Sequence, residues 1–180
     1  MKTKKKSKGK SQRTAKSSGQ EITDYIMKDH KEIRECLKIM KDSEADIGDR
    51  EDAFFRFIPL FVAHAKPEEC VLYSHLKSFE DLRTLGFEGE TEHDLAERML
   101  AAAERSRDDD VWCARIKVLA ELVEHHIEEE EKTILPAFKK KTDADERKQL
   151  GEQFLDAKAE FSPEQRGKAP RSREDQLYAH

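Results

Sequence analysis

Ionisable side chains stand in this sequence at positions where the helical pattern calls for apolar ones. Between about residues 21 and 160, apolar residues recur at the three-to-four-residue spacing of amphipathic helices. Six polar residues fall within these apolar faces: His30, His64, Glu68, His93, His126 and Glu130. A buried charge costs several kcal/mol unless it is paired or bound to a metal. The chain is therefore restricted to folds that bring such side chains together.

The polar positions belong to an internal repeat. His64 and Glu68 of the first copy correspond to His126 and Glu130 of the second. The pair Asp29-His30 corresponds in the same way to Glu92-His93. The offset is 62 residues for the first set and 63 for the second. Because a His and a Glu four residues apart lie one turn apart on the same helix face, both can reach one metal centre. The repeat predicts two equivalent half-sites about a quasi-twofold axis.

Composition favours helices over strands. Charged residues make up 41% of the chain, and its 7 glycines and 5 prolines are too few for the many turns of an all-β fold. The periodicity predicts helices at about 20–43, from 49, at 88–106, after 110 and at 142–161. We therefore expect an all-α fold, an up-down-up-down antiparallel four-helix bundle with an additional C-terminal helix and a disordered basic N-terminal arm.

The two ends of the chain differ from its centre. Residues 1–20 carry eight basic side chains and no acid, so that the remainder carries −13 within a total of −5. We expect residues 1–20 to be a disordered basic arm, residues 21–161 to form the bundle domain, and residues 162–180 to be a flexible tail. The arm is favoured as a solubilising or self-docking segment, because no aromatic residue is interleaved for base stacking. Weak, non-specific nucleic-acid contact stays an alternative.

Cysteine spacing and hydropathy bear on the compartment. Cys36, Cys70 and Cys113 are far apart and odd in number, which argues against a disulfide framework and a thiolate zinc site. We expect buried free thiols. No run approaches the ~18 apolar residues of a membrane-spanning helix, and no apolar segment follows the basic N-terminus as in a signal peptide. The sequence predicts a cytoplasmic protein with no membrane partner.

The order of these residues resembles that of the hemerythrin-like, or HHE cation-binding, domain family. That family has one His on helix one, HxxxE on helix two, one His on helix three, and HxxxE on helix four followed by an aromatic residue or Leu and often Pro. The matching residues here are His30, His64 and Glu68, His93, and His126 and Glu130, with Leu135-Pro136 after the last motif. The resemblance covers roughly residues 21–138. It implies a non-haem di-iron centre, with both glutamates bridging the irons and the histidines as terminal ligands.

One departure from the oxygen-carrying members concerns helix three. Those members have a fifth histidine one turn from the first, whereas Gly89 and Glu97 flank His93 here. Fewer protein ligands leave more open coordination positions, which favours reaction with oxygen, peroxide or nitric oxide, or iron sensing, over oxygen carriage. Whether Glu97 or Glu90 adds a ligand stays open.

Other choices are equally open on sequence alone. Glu69 and Glu131 each follow a proposed ligand, so either glutamate of each doublet can be the inward one. The alternative to a metal protein is a metal-free structural bundle, in which these groups form a hydrogen-bonded network and the basic arm recruits a partner. The sequence alone does not distinguish between catalytic, sensory, storage and carrier roles.

Overall fold

A computed structural model of the chain describes residues 19–161, and every regular element in that range is helical. The helices are α1 (Ile22–Lys41), α2 (Ile47–Pro67), α3 (Arg83–Glu104), α4 (Asp109–Glu129) and α5 (Ala144–Glu160). Two of them continue past these bounds: α2 through a π-helix, π1 (Glu68–Tyr73), and the turn Ser74–Leu76, and α4 through π2 (Glu130–Ile134) and Leu135–Lys141. Short connections make sequential helices antiparallel neighbours. The four-helix bundle with an additional C-terminal helix is confirmed.

Helix α3 begins earlier than the predicted position 88. It starts at Arg83 and contains two buried glycines, Gly86 and Gly89. Glycine lowers intrinsic helix propensity, so the sequence of this first part of α3 is a weak helix signal. Here close packing outweighs propensity, since a Cβ at Gly89 would lie 2.6 Å from Cζ of Tyr73. The earlier start places His93 ten residues into α3, at the height of the other histidines.

Aspartates begin α4 and α5. The side chain of Asp108 accepts from the backbone N–H of Val111 at 3.0 Å. Asp143 accepts from the N–H of Glu146 at 2.9 Å and thus caps α5, one residue after the predicted start of this helix at 142. Each cap satisfies a backbone donor that the first helical turn leaves free.

The buried side chains form two apolar clusters. The larger includes Ile33, Leu37, Met40, Phe54, Phe57, Phe61, Trp112, Ile116, Leu119 and Val123. The smaller includes Ile22, Ile26, Leu72, Tyr73, Leu76, Ile134, Phe138 and Phe154. Along each of α1, α2 and α4 the two clusters are separated by the polar residues of the repeat. The bundle therefore has an apolar core interrupted by one polar layer.

Helix α5 lies against the beginning of α1. A Cβ on Gly151 would come 2.5 Å from the backbone oxygen of Gln20, so only glycine permits this approach. Arg147 of α5 donates to both carboxylate oxygens of Glu21, from Nε at 2.8 Å and from Nη2 at 3.1 Å. The C-terminal helix is thus docked by close backbone packing and by one bidentate ion pair.

The cysteine prediction was correct in part. All three thiols are free, but only Cys36 is buried, whereas Cys70 is exposed and Cys113 is half-buried. Within residues 19–161, no helix combines the length and the apolar character needed to cross a bilayer. The predicted arm, apart from residues 19 and 20, and the predicted tail lie outside the described residues.

Candidate metal centre

All six side chains singled out in the sequence meet in the polar layer between the two apolar clusters. None of His30, His64, Glu68, His93, His126 and Glu130 is more than 3% exposed. Their ligating atoms form two groups, in each of which the atoms lie within 4.8 Å of one another. The four-ligand half consists of His30, His64, Glu68 and Glu130, and the three-ligand half consists of Glu68, His93 and His126. Glu68 is common to both halves.

The inward member of each glutamate doublet is the first one. Glu68 and Glu130 are fully buried, whereas the side chains of Glu69 and Glu131 are 25% and 20% exposed. Two further carboxylates considered as ligands point elsewhere. Glu97 lies 2.6 Å from Nζ of Lys66, and Glu90 pairs with Lys77.

The inward glutamates lie where the helices change geometry. Glu68 is the first residue of π1, directly after Pro67, and Glu130 is the first residue of π2. Pro67 lacks a backbone N–H, and a proline within a helix in general kinks it at that point. The structure instead has a transition from α-helix to π-helix, and the same transition in α4 occurs without a proline. Both π-helices begin 62 residues apart, so the repeat extends to the backbone.

A second set of carboxylates contacts the outer nitrogen, Nδ1, of each histidine. The distances are 2.9 Å from His30 to Glu131, 3.8 Å from His64 to Asp29, 3.3 Å from His93 to Glu69, and 2.6 Å from His126 to Glu92. Each carboxylate comes from the preceding helix of the cycle α1, α2, α3, α4 and back to α1. We call this set the carboxylate–histidine ring. It encloses the polar layer on all four sides.

The ring orients the imidazoles most strongly at His30 and His126, where Nδ1 is hydrogen-bonded to a carboxylate. An Nδ1–H that faces a carboxylate leaves the lone pair on Nε2. The Nε2 atoms do point inward: that of His30 lies 3.0 Å from Glu130, and that of His64 lies 3.1 Å from Glu68. The Nε2 atoms of His93 and His126 lie only 3.0 Å apart. Burial acts to lower the pKa of His126, but Glu130 and Glu92 outweigh it and raise that pKa. A proton on His126 can therefore bridge the two nitrogens in the metal-free protein, and a bound cation would take its place.

The buried polar atoms fit a cation. Within residues 19–161, both carboxylate oxygens of Glu68 and both ring nitrogens of His64 are buried without a hydrogen-bond partner. Leaving such groups unsatisfied costs free energy, whereas coordination of a metal satisfies them. Imidazole nitrogen and carboxylate oxygen suit iron, manganese and zinc. The donor set therefore fits a transition-metal cation.

The two inward carboxyl groups differ in their electrostatics. Burial and the neighbouring Glu130 raise the pKa of Glu68 well above its usual range. Burial also acts to raise the pKa of Glu130, but His126 and His30 outweigh it and hold that pKa below its usual range. Burial lowers the pKa of His64 to about 4. The protein's own groups thus support one inward carboxylate, and ionising both requires additional positive charge.

Tyr73 is not among the six residues singled out in the sequence, yet its hydroxyl lies in the polar layer. It donates to Oε1 of Glu130 at 2.7 Å and lies 3.4 Å and 3.3 Å from Nε2 of His93 and His126. On a regular α-helix, Tyr73 would be about 140° around the axis from Glu68. In π1 the backbone bonds join residues i and i+5, which brings the two side chains toward the same face. No feature of the sequence alone signalled that change.

Two other histidines lie apart from the layer. His75 packs edge-on against Phe79 and Phe138 and lies 3.1 Å from Glu146, which is a structural role. The side chain of His125 is 72% exposed. It forms a surface group with Glu92 and Glu129 that joins the layer only through Glu92.

Comparison with known proteins gives one curated relative and one family. A protein named DNA nickase from Nostoc sp. (strain PCC 7120 / SAG 25.82 / UTEX 2576) is 26% identical over 151 residues, which is 82% of this chain and 42% of the relative. The chain thus spans less than half of that relative's length. No solved structure matches the chain. The family model described as the hemerythrin HHE cation binding domain matches residues 21–138. The chain therefore belongs to the hemerythrin HHE cation-binding domain family.

Proposed function

We propose that this protein holds a non-haem pair of iron ions in its polar layer and interacts there with oxygen, peroxide or nitric oxide. The observation that carries the proposal is Glu68, a fully buried carboxyl group shared by both halves and without a hydrogen-bond donor among the described residues. The ligands proposed are His30, His64, Glu68, His93, His126 and Glu130.

The protein's own residues have distinct tasks in this proposal. A pair of iron ions supplies, when bound, redox chemistry and coordination positions for a small ligand. Glu68 belongs to both halves and is placed to join them. The ring holds the four imidazoles with Nε2 inward, and the apolar clusters on either side exclude bulk water. Side chains fill fewer positions in the three-ligand half, which leaves room there for a small ligand.

The same features indicate a class of roles. A centre whose proposed ligands are all buried suits small ligands, and therefore a stress response to oxygen or nitric oxide, iron handling or sensing. Three free thiols are consistent with a reducing compartment, which supports a cytoplasmic location.

Metal analysis of matched variants tests the proposal. His126→Ala removes a proposed ligand, whereas His125→Ala removes the neighbouring exposed histidine. After anaerobic ferrous loading and desalting, the wild type and His125→Ala are expected to retain iron and His126→Ala to lose it. An optical spectrum before and after oxygen should change only in the proteins that hold iron. Retention of manganese or zinc in preference to iron, or equal iron loss from both variants, contradicts the proposal.

A second candidate function is cleavage of one strand of DNA. The similarity to a protein named DNA nickase covers 82% of this chain. The eight basic residues among residues 1–20 supply charge for non-specific contact with phosphates. In this alternative the same bound cations would activate water against a phosphodiester.

Supercoiled plasmid separates the two candidates. A nickase converts it to open circles in a reaction that EDTA and His126→Ala abolish and His125→Ala preserves. Deleting residues 1–20 should weaken nicking, most of all at high salt, while the helical content and iron content stay unchanged. Plasmid that remains supercoiled with the metal-loaded wild type excludes the nickase function.

A further inference from the structure

The two halves of the polar layer are inequivalent at one repeat position. An offset of 62 residues relates Tyr73 to Leu135, and both side chains are buried. Tyr73 therefore brings a phenol hydroxyl to the layer, and its repeat partner brings only methyl groups. The three-ligand half, which has the fewer protein ligands, is the half whose two histidines lie near the hydroxyl.

The position of Tyr73 is built by two elements. π1 turns the ring toward the layer, and Gly89 on α3 leaves the space that the ring occupies. A Cβ at Gly89 would lie 2.6 Å from Cζ and 2.9 Å from the hydroxyl oxygen. The ring also lies 5.3 Å, centroid to centroid, from that of His93. Packing of this kind holds the hydroxyl at one place in the site.

The hydroxyl of Tyr73 can donate its proton either to Glu130 or to a small molecule bound beside His93 and His126. It donates at present to Oε1 of Glu130, whose other oxygen, Oε2, lies 3.0 Å from Nε2 of His30. Rotation about the Cζ–O bond turns the same proton toward the space between His93 and His126 without moving the ring. A small molecule bound there would meet a donor in a fully buried site, where a hydrogen bond to a charged acceptor is strong.

We propose, on the basis of the proposed function, that Tyr73 is the hydrogen-bond donor of the three-ligand half and that the small ligand binds in that half next to its hydroxyl. The preferred ligand is then an anion or a molecule with an exposed lone pair. The four-ligand half, which has Leu135 at the corresponding repeat position, acts as the closed half.

Azide, a small anion, is the probe for this assignment. Tyr73→Phe removes only the hydroxyl, and Tyr25→Phe makes the same change at a half-buried tyrosine that stacks on Phe154. Each iron-loaded protein is titrated with azide and followed by visible absorption, and its iron content is measured separately. Because a hydrogen bond to a charged group is lost, Tyr73→Phe should bind azide about tenfold or more weakly with unchanged iron content. Tyr25→Phe should bind azide as the wild type does.

A second variant tests the packing. Gly89→Ala keeps the phenol but displaces its ring, and should weaken azide binding in the same direction. Equal azide affinity of Tyr73→Phe and wild type, at equal iron content, overturns the donor role and leaves the proposed function standing. Loss of iron from Tyr73→Phe also overturns it, since Tyr73 would then be needed to hold the metal. Failure of the wild type to hold iron overturns both.

Discussion

At the scale of single residues, the outer carboxylates influence which ring nitrogen of each histidine faces the centre. A free imidazole can offer either nitrogen to a metal, and a rotating ring loses affinity through entropy. In this protein each ring has a carboxylate from a neighbouring helix beside its outer nitrogen, the closest contact being 2.6 Å between Glu92 and His126. Partners of this type raise ligand basicity as well as orienting the ring.

Removing the charge of Glu92 should therefore weaken metal binding from outside the ligand set. Glu92→Gln is expected to lower metal affinity by about 10- to 100-fold, measured by competition with a chromophoric chelator. The matched control is Glu88→Gln, one turn earlier on α3 and exposed. If both variants bind metal with the wild-type affinity, the outer carboxylates do not support the ligands.

The residue scale also shows where sequence reasoning succeeds. The polar residues were visible because each interrupts an apolar face with a period of 3.6 residues, and their meeting in one layer follows from the repeat. Their role as ligands remains a prediction. Tyr73 could not be placed in the same way, because the period itself changes within π1. A tyrosine on an apolar face is in most cases a core residue.

At the scale of helices, close backbone approach decides how α5 docks. Gly151→Ala should lower the free energy of unfolding by about 1–3 kcal/mol, because the added methyl group meets the backbone at Gln20 and must push α5 away. Gly48→Ala is the control, since Gly48 has no neighbour within 4 Å of a Cβ. That change should raise the free energy of unfolding by about 0.5–1 kcal/mol through helix propensity. Urea unfolding measures both, and equal effects would contradict the close contact.

The ion pair between Glu21 and Arg147 gives the docking of α5 a pH dependence. Hydrogen bonds from Arg147 hold the pKa of Glu21 below its usual range. A depressed carboxyl pKa contributes stability above the unfolded value, about 4.3, and loses it as the pH falls through the folded value. Glu21→Gln should thus be less stable than wild type at pH 7, by about 0.5–1 kcal/mol for a partly exposed pair. The difference should vanish on acidification toward pH 3.

A double-mutant comparison isolates that pair. In an Arg147→Ala background, Glu21→Gln should change the free energy of unfolding little, and equally at both pH values. A pH-dependent difference that survives in this background would assign the effect to another group.

At the scale of the whole molecule, the polar layer links cation binding to folding. Without a cation, Glu68 is buried among groups that donate no hydrogen bond to it. Glu68→Met should therefore stabilise the metal-free protein by about 1 kcal/mol or more, because it replaces a buried polar group that has no hydrogen-bond partner with an apolar one. In the metal-loaded protein the same change should destabilise, because part of the binding free energy is lost.

Thermal unfolding with and without iron measures this reversal of sign. Leu72→Ala, in the apolar cluster beside the layer, should destabilise both forms alike, by about 2–5 kcal/mol. Equal shifts of Glu68→Met in the two forms would instead support the metal-free structural bundle as the alternative.

The carboxylate–histidine ring also has a consequence for the ancestry of the chain. Two of its four contacts lie within the hairpins α1–α2 and α3–α4, and the other two join one hairpin to the other. Each hairpin thus carries one histidine and one carboxylate that only a second hairpin can satisfy. A two-helix ancestor could close the same ring by pairing with a copy of itself, so the present chain has the layout of a fused homodimer. Once fused, the copies were free to diverge, and the tyrosine at 73 facing a leucine at 135 is a difference that an identical pair could never have acquired.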